Sequence, residues 1–140
     1  MVVSSRRRFV LLLLVVGVVS QVGCGTRTSY QVSGHAQYKD GSPITGGVRI
    51  IRLEPTQSST AAIRKVATGE IRADGSFDLF TRKPGDGVIA GKYAVLFTVL
   101  DKPMGGKSLI PAKYNSAVDS PFEITVDGDK TGLSYELEKQ

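Results

Sequence analysis

From residue 30 onward, apolar and polar positions alternate with a period of two, in short runs broken by Gly, Pro and Asp. Tyr30, Val32, Gly34, Ala36 and Tyr38 share one face of the first run; Gln31, Ser33, His35 and Gln37 share the other. A second run covers 48–53, where the adjacent Ile50 and Ile51 break strict alternation. That break predicts a bulge or burial on both faces. A third, interrupted run covers 63–71 and a fourth 77–81. In the fifth, 92–100, Tyr93, Val95, Phe97 and Val99 stand opposite Ala94, Leu96, Thr98 and Leu100. Both faces are largely apolar, which predicts a central strand covered on two sides. Phe122, Ile124 and Val126 mark the sixth run, and Leu133, Tyr135 and Leu137 the seventh. Asp40-Gly41 and Asp74-Gly75 predict tight turns, the second a hairpin, and Pro84-Gly85-Asp86-Gly87 opens a further loop. The last two runs enclose 127–132, read as a polar hairpin loop. About seven strands punctuated this way predict an all-β fold, an antiparallel two-sheet sandwich over residues 30–138.

The amino terminus follows a different pattern. Arg6, Arg7 and Arg8 precede Phe9 to Val19, an eleven-residue run interrupted only by Gly17. Small and polar residues then lead to Gly23 and Cys24. A charged, then apolar, then small order is that of a secretory signal. The run is short of the roughly 20 apolar residues that cross a bilayer. Residues 1–23 are therefore read as a signal, 24–29 as a tether, and the protein as exported to the cell envelope.

Charge alters the picture once the signal is set aside. The whole chain has 18 Lys+Arg against 13 Asp+Glu. Loss of 1–23 removes three arginines and no acid, leaving 15 cationic side chains against 13 acidic ones. The longest basic runs that remain are Arg64-Lys65 and Arg82-Lys83, without interleaved aromatics, so nucleic acid is not an expected partner. One His and one Cys exclude a multi-ligand zinc site, an iron–sulfur site and an intrachain disulfide. No cofactor is expected.

Two resemblances add to this reading. Gln21-Val22-Gly23-Cys24 resembles the lipobox of bacterial lipoproteins, departing from it at Gln21, where Leu is usual. The resemblance implies diacylglycerol on the Cys24 thiol and cleavage just before it, so that membrane lipid is a partner. Two acyl chains hold a soluble domain on a bilayer where one does so only marginally. An ordinary cleaved signal with a free Cys24, or an uncleaved anchor, are the alternatives. Farther on, Val32-Ser33-Gly34, Lys39-Asp40-Gly41-Ser42-Pro43-Ile44, Gly46-Gly47-Val48, Gly69, Ala73-Asp74-Gly75-Ser76-Phe77 and Gly91-Lys92-Tyr93 follow one another. That order resembles a carboxypeptidase regulatory-like module with a transthyretin-like (prealbumin-like) sandwich. Ala90 stands where such modules usually have Pro. Gly85 to Tyr93 and Ile110 to Tyr114 are similar to stretches shared by small planctomycete lipoproteins. The resemblance implies a fold and no agreed activity.

Candidate chemistry is sparse. His35, the only histidine, lies on the polar face of the first run with no nucleophile-elbow motif to serve. Enzymes of transthyretin-like fold use several histidines, in hydroxyisourate hydrolases and in iron-dependent intradiol dioxygenases alike. Asp127, Asp129, Thr131, Gly132 and Glu138 match positions 1, 3, 5, 6 and 12 of a calcium loop. Leu133, Tyr135 and Leu137 alternate through that stretch, however, which favours a strand and no metal site. Residues 101–120 form the longest irregular stretch. Lys113, Tyr114 and Asn115 at its apex are candidate binding contacts; Ile110 and Tyr114 alternatively plug one end of the sandwich. The expectation is a lipid-anchored envelope binding or structural module without catalytic activity, with an envelope protein as a possible partner. A solute- or carbohydrate-binding accessory domain using the 101–120 loop is the alternative.

Overall fold

The alternation becomes two facing layers. A computed structural model describes residues 28–61 and 63–140. Nine strands run through them: β1 (Ser29–Tyr30), β2 (Val32–Tyr38), β3 (Val48–Pro55), β4 (Ala67–Glu70), β5 (Ser76–Leu79), β6 (Val88–Ile89), β7 (Gly91–Leu100), β8 (Glu123–Val126) and β9 (Lys130–Leu137). A single 3₁₀ turn, Ala112–Asn115, lies between β7 and β8, and the described residues contain no α-helix. One sheet has the order β4-β3-β7-β8 and another β5-β2-β9; β1 and β6 pair as a short ribbon. The fold is all-β, as the pattern predicts. Residues 1–27, which include the stretch read as a signal, Cys24 and most of the stretch read as a tether, lie outside the described residues. Ser29, read as the last residue of the tether, pairs with Ile89.

Apolar faces of the two larger sheets make one core. Ile51, Leu53, Tyr93, Val95, Phe97 and Val99 from one sheet meet Val32, Ala36, Tyr38, Phe77, Leu79, Tyr135 and Leu137 from the other. β7 is buried on both faces through Ala94 and Leu96, as its sequence predicts. At one side the layers join. Thr68 of β4 and Phe80, just after β5, exchange backbone hydrogen bonds of 2.9 and 3.0 Å. The turn at 72–76 connects these strands, yet its arms feed different sheets. At the other side β8 and β9 are each an edge.

The register corrects several expectations. β2 and β9 run parallel, so the sandwich is not wholly antiparallel. Alternation has the same period in either direction, and sequence alone does not distinguish them. No bulge occurs at Ile50-Ile51: pairing with β7 is regular, Ile51 is buried and Ile50 is simply exposed outside. The irregularity falls instead between Val32 and Gly34, opposite β9. Ile63 and Val66 are exposed and precede β4 rather than belonging to it. The 127–129 segment is no hairpin loop, because β8 pairs with β7 and β9 with β2, so it crosses from layer to layer.

Strand direction gives the sandwich two distinct ends. β2, β4, β7 and β9 leave the end where Thr28 enters; β3, β5 and β8 return to it. The entry end therefore gathers 56–61, 63–66, 80–87 and 127–129. The far end gathers 39–47, 71–75, 101–109 and the final residues. Both Asp-Gly turns lie at the far end and share one geometry. Gly41 N–H donates to Tyr38 C=O at 2.8 Å and Gly75 N–H to Arg72 C=O at 2.9 Å. Both glycines have positive φ, 79° and 86°, the bulge position of a three-residue hairpin loop.

Candidate functional site along the free edge of β9

β9 has a partner on one side only. Leu137 C=O accepts from Lys39 N–H at 2.9 Å, which fixes the side on which Leu137 meets β2. Successive residues of a strand direct their amides to opposite sides, so those of Ser134, Glu136 and Glu138 point outward. Glu138 N–H finds the Tyr114 hydroxyl at 3.2 Å. Ser134 and Glu136 have no strand beside them. Along this edge runs a cleft of about 420 Å³, lined by Lys39, Lys113, Tyr114, Pro121, Phe122, Ser134, Glu136 and Glu138.

The cleft has an aromatic floor and a charged end. Tyr114 and Phe122 stack with ring centroids 5.9 Å apart and planes 15° apart. The 3₁₀ turn sets Tyr114 in place: it is the turn's buried residue, and Tyr114 N–H donates to Pro111 C=O at 3.1 Å. Glu138 receives Lys39 Nζ at 2.6 Å on one oxygen and Lys113 Nζ at 2.7 Å on the other. The hydrogen bond from Lys113, then that from Lys39, holds its carboxyl down at about 2. Both ammonium groups are raised, chiefly by their hydrogen bonds to Glu138. Nearby, Lys139 pairs with Asp40 at 2.5 Å and lies 4.9 Å from the Tyr38 ring centre.

This arrangement has a pH signature. The Glu138 carboxyl is depressed in the folded chain, so its stabilising effect is complete above the ordinary glutamate range near 4.5. It fades as pH falls from there toward about 2. Thermal unfolding of Glu138→Gln should therefore lie below that of the parent at neutral pH, the gap closing as the solution is acidified through that window. A gap independent of pH would show that the two lysines do not hold the carboxylate.

The residues singled out in the sequence are not brought together. Lys113 lines the cleft, Tyr114 lies in the core beneath it, and Asn115 turns away to accept a 3.2 Å hydrogen bond from the Thr98 hydroxyl. Ile110 and Tyr114 are both buried, as the plug reading of the long stretch predicts. That stretch divides in two. Leu100 pairs with Ser108 to leave an exposed tip at 102–107, and 109–115 folds against the core. His35 stands elsewhere, its Nε2–H donating to Asp74 C=O at 2.7 Å against the second Asp-Gly turn. The calcium pattern comes apart: Asp127 pairs with Lys130 at 2.9 Å, Asp129 accepts Gln31 N–H, and β9 carries Glu138 to the far end.

The pattern marks Phe122 only as an apolar strand position and Lys39 only as part of a turn motif, and it gives Ser134 and Glu136 no site role. Lys39 and Glu138 are 99 positions apart, and only the parallel register of β2 and β9 makes them neighbours. The one local signal was strand β9 itself, whose outward row is polar. A larger hollow, about 630 Å³, lies at the entry end and includes Thr28 and Tyr30. Its charged residues Lys92 and Asp127 are paired with Glu123 and Lys130. Compared with protein-family models, curated proteins and solved structures, the chain matches none.

Proposed function

We propose that the protein is a lipid-anchored binding module of the cell envelope, without catalytic activity, that takes an extended segment of a partner protein along β9. The carrying observation is the pair of outward amides, Ser134 and Glu136, beside a cleft with an aromatic floor. An unpaired strand edge is a template for another strand, and main-chain bonds then supply affinity while side-chain pockets supply specificity. Phe122, half-buried and backed by the buried Tyr114 ring, offers apolar surface to the incoming chain. Lys39 and Lys113 keep charge at its end. The basic, apolar and small order of residues 6–24 supports export and acylation of Cys24. The order of glycine and Asp-Gly motifs supports a transthyretin-like sandwich. An accessory role in sugar binding by 101–120 has less support, because Tyr114, the one aromatic ring in that stretch, is buried.

A photo-cross-linking residue at Glu136, used in intact cells, tests the edge. It should give a protein adduct that falls about tenfold when Ser134→Pro is added, because proline removes an outward donor yet is tolerated at an edge. Equal yields with and without Ser134→Pro, in chains of matched thermal stability, would overturn strand addition. In the same cells Cys24→Ser should move the protein from membrane to soluble fractions; unchanged fractionation would count against acylation and leave the edge result standing.

A further inference from the structure

Eight cations form ion pairs among the described residues, and Arg64, Lys65, Arg82, Lys83, Lys102 and Lys107 do not. Four of these six belong to the entry end. Arg64 and Lys65 lie in the segment that leads into β4, and Arg82 and Lys83 in the loop between β5 and β6. A hollow of about 280 Å³ joins the two segments, with Thr28, Ser29, Ile63, Arg82 and Asp86 in its lining. The basic pair 64–65 is flanked by Ile63 and Val66, which are 47 % and 44 % exposed. Apolar side chains with cations between them, on one exposed end, form the pattern of a surface that meets a bilayer interface.

The acids at this end leave the four cations in excess, although Asp86 keeps its charge beside Arg82. Asp86 accepts the backbone N–H groups of Thr81, Arg82 and Lys83 at 2.9, 2.9 and 3.2 Å. Asp127 is paired with Lys130 and Glu123 with Lys92, and Asp129 receives Gln31 N–H. The Arg64 guanidinium donates to Thr56 C=O at 2.5 Å, a neutral partner that leaves its charge uncompensated. Lys102 and Lys107, the other cations outside ion pairs, are at the far end and provide an internal comparison.

Chain length supplies the occupant. From Cys24 to Thr28 the backbone spans at most about 14 Å. A Cys24 seated in the headgroup layer therefore holds the entry end near the surface, where attraction to anionic lipid acts within a Debye length of about 8 Å. We propose that Arg64, Lys65, Arg82 and Lys83 bind anionic phospholipid headgroups while Ile63 and Val66 enter the headgroup layer, making a second membrane contact beside the acyl anchor. This rests on the reading of Cys24 as acylated.

The test uses the lipidated protein reconstituted in phosphatidylcholine vesicles with and without phosphatidylglycerol. Trypsin cleavage after Arg64, Lys65 and Arg82 is followed by mass spectrometry, with Lys107 as reference; Lys83 and Lys102 precede prolines and are not cut. Phosphatidylglycerol should slow cleavage at these three sites about tenfold relative to the reference, and high salt should abolish the protection. The double variant Arg64→Glu, Lys65→Glu should also lose protection at Arg82. Equal rates on both vesicle types overturn the headgroup contact. Protection that appears in detergent as protein concentration rises assigns the patch to a second copy and likewise overturns it. Failure of the protein to float with either vesicle overturns the anchor instead, which separates the two claims.

Discussion

Tyr135→Ala is expected to lower the unfolding free energy by about 4 kcal/mol, and Tyr135→Phe to change it by less than about 1 kcal/mol. Tyr135 is the hub of the aromatic core. Its ring centroid lies 5.1 Å from that of Phe122, 5.5 Å from that of Phe97 and 6.1 Å from that of Phe77. The first two contacts are edge-on, the geometry that ring quadrupoles favour. Phe122 and Phe97 belong to one layer, Phe77 and Tyr135 to the other, so this ring ties the sandwich together where β8 and β9 leave it open. Truncation removes the ring and leaves a cavity among groups that backbone pairing holds apart. The hydroxyl is a lesser matter; burial has pushed its pKa up to about 12. Urea unfolding of the three chains checks this, with the midpoint shifting at constant slope. A Phe variant as weak as the Ala variant would place the stabilisation in the hydroxyl and not in the ring.

The second large effect is expected from one added methyl group. A Cβ on Gly34 would stand 2.3 Å from Leu133 O, 2.7 Å from Leu133 Cβ and 2.8 Å from Leu133 C. Two of those atoms are backbone, so no rotamer change relieves the clash. β2 and β9 must separate, and the parallel ladder between them is what presents the outward amides of Ser134 and Glu136. Gly34→Ala should therefore cost about 3 kcal/mol, at the upper end of overpacking effects. It should also reduce adduct formation at position 136 in the surviving folded protein. Gly128→Ala is the comparison: nothing lies within 4 Å of a Cβ there, and the change should stay within about 0.5 kcal/mol. Equal stabilities for the two variants would mean that β2 and β9 do not approach so closely at Gly34.

Much of this architecture was legible because burial on one face leaves a period of two in the chain. Ile124 and Val126 of β8, and Phe122 just before it, pack against the core in the order their spacing predicts, and the doubled apolar faces of β7 marked the central strand. The Asp-Gly turns were legible for a local reason: only glycine enters positive φ freely, and Asp40 and Asp74 each accept the N–H of the serine two residues on. What alternation does not encode is partner or direction. The parallel β2–β9 pair, the crossing at 127–129 and the exposed Ile50 all depend on which strand lies alongside. Two-residue strands leave no period at all, so the pattern merges Tyr30 of β1 into the first run and misses β6, although Val88-Ile89 is a β-branched pair. Tyr93 was assigned to the core, but its hydrogen bond to Ile89 C=O, 2.7 Å, ties β7 to that missed ribbon. The site was the least legible part, since Lys39, Lys113 and Glu138 come from three segments that converge only in the folded chain.

The parallel register also governs how this body carries a mechanical load. β2 starts beside the chain's point of entry, and the Ser134–Glu138 edge of β9 lies toward the opposite end. A force applied between Thr28 and the outer edge of β9 would therefore act lengthwise, dragging one strand past the other. The six residue pairs from Val32↔Lys130 to Tyr38↔Leu137 then share the strain and yield in shear as a group, where a pair pulled open from one end would unzip bond by bond.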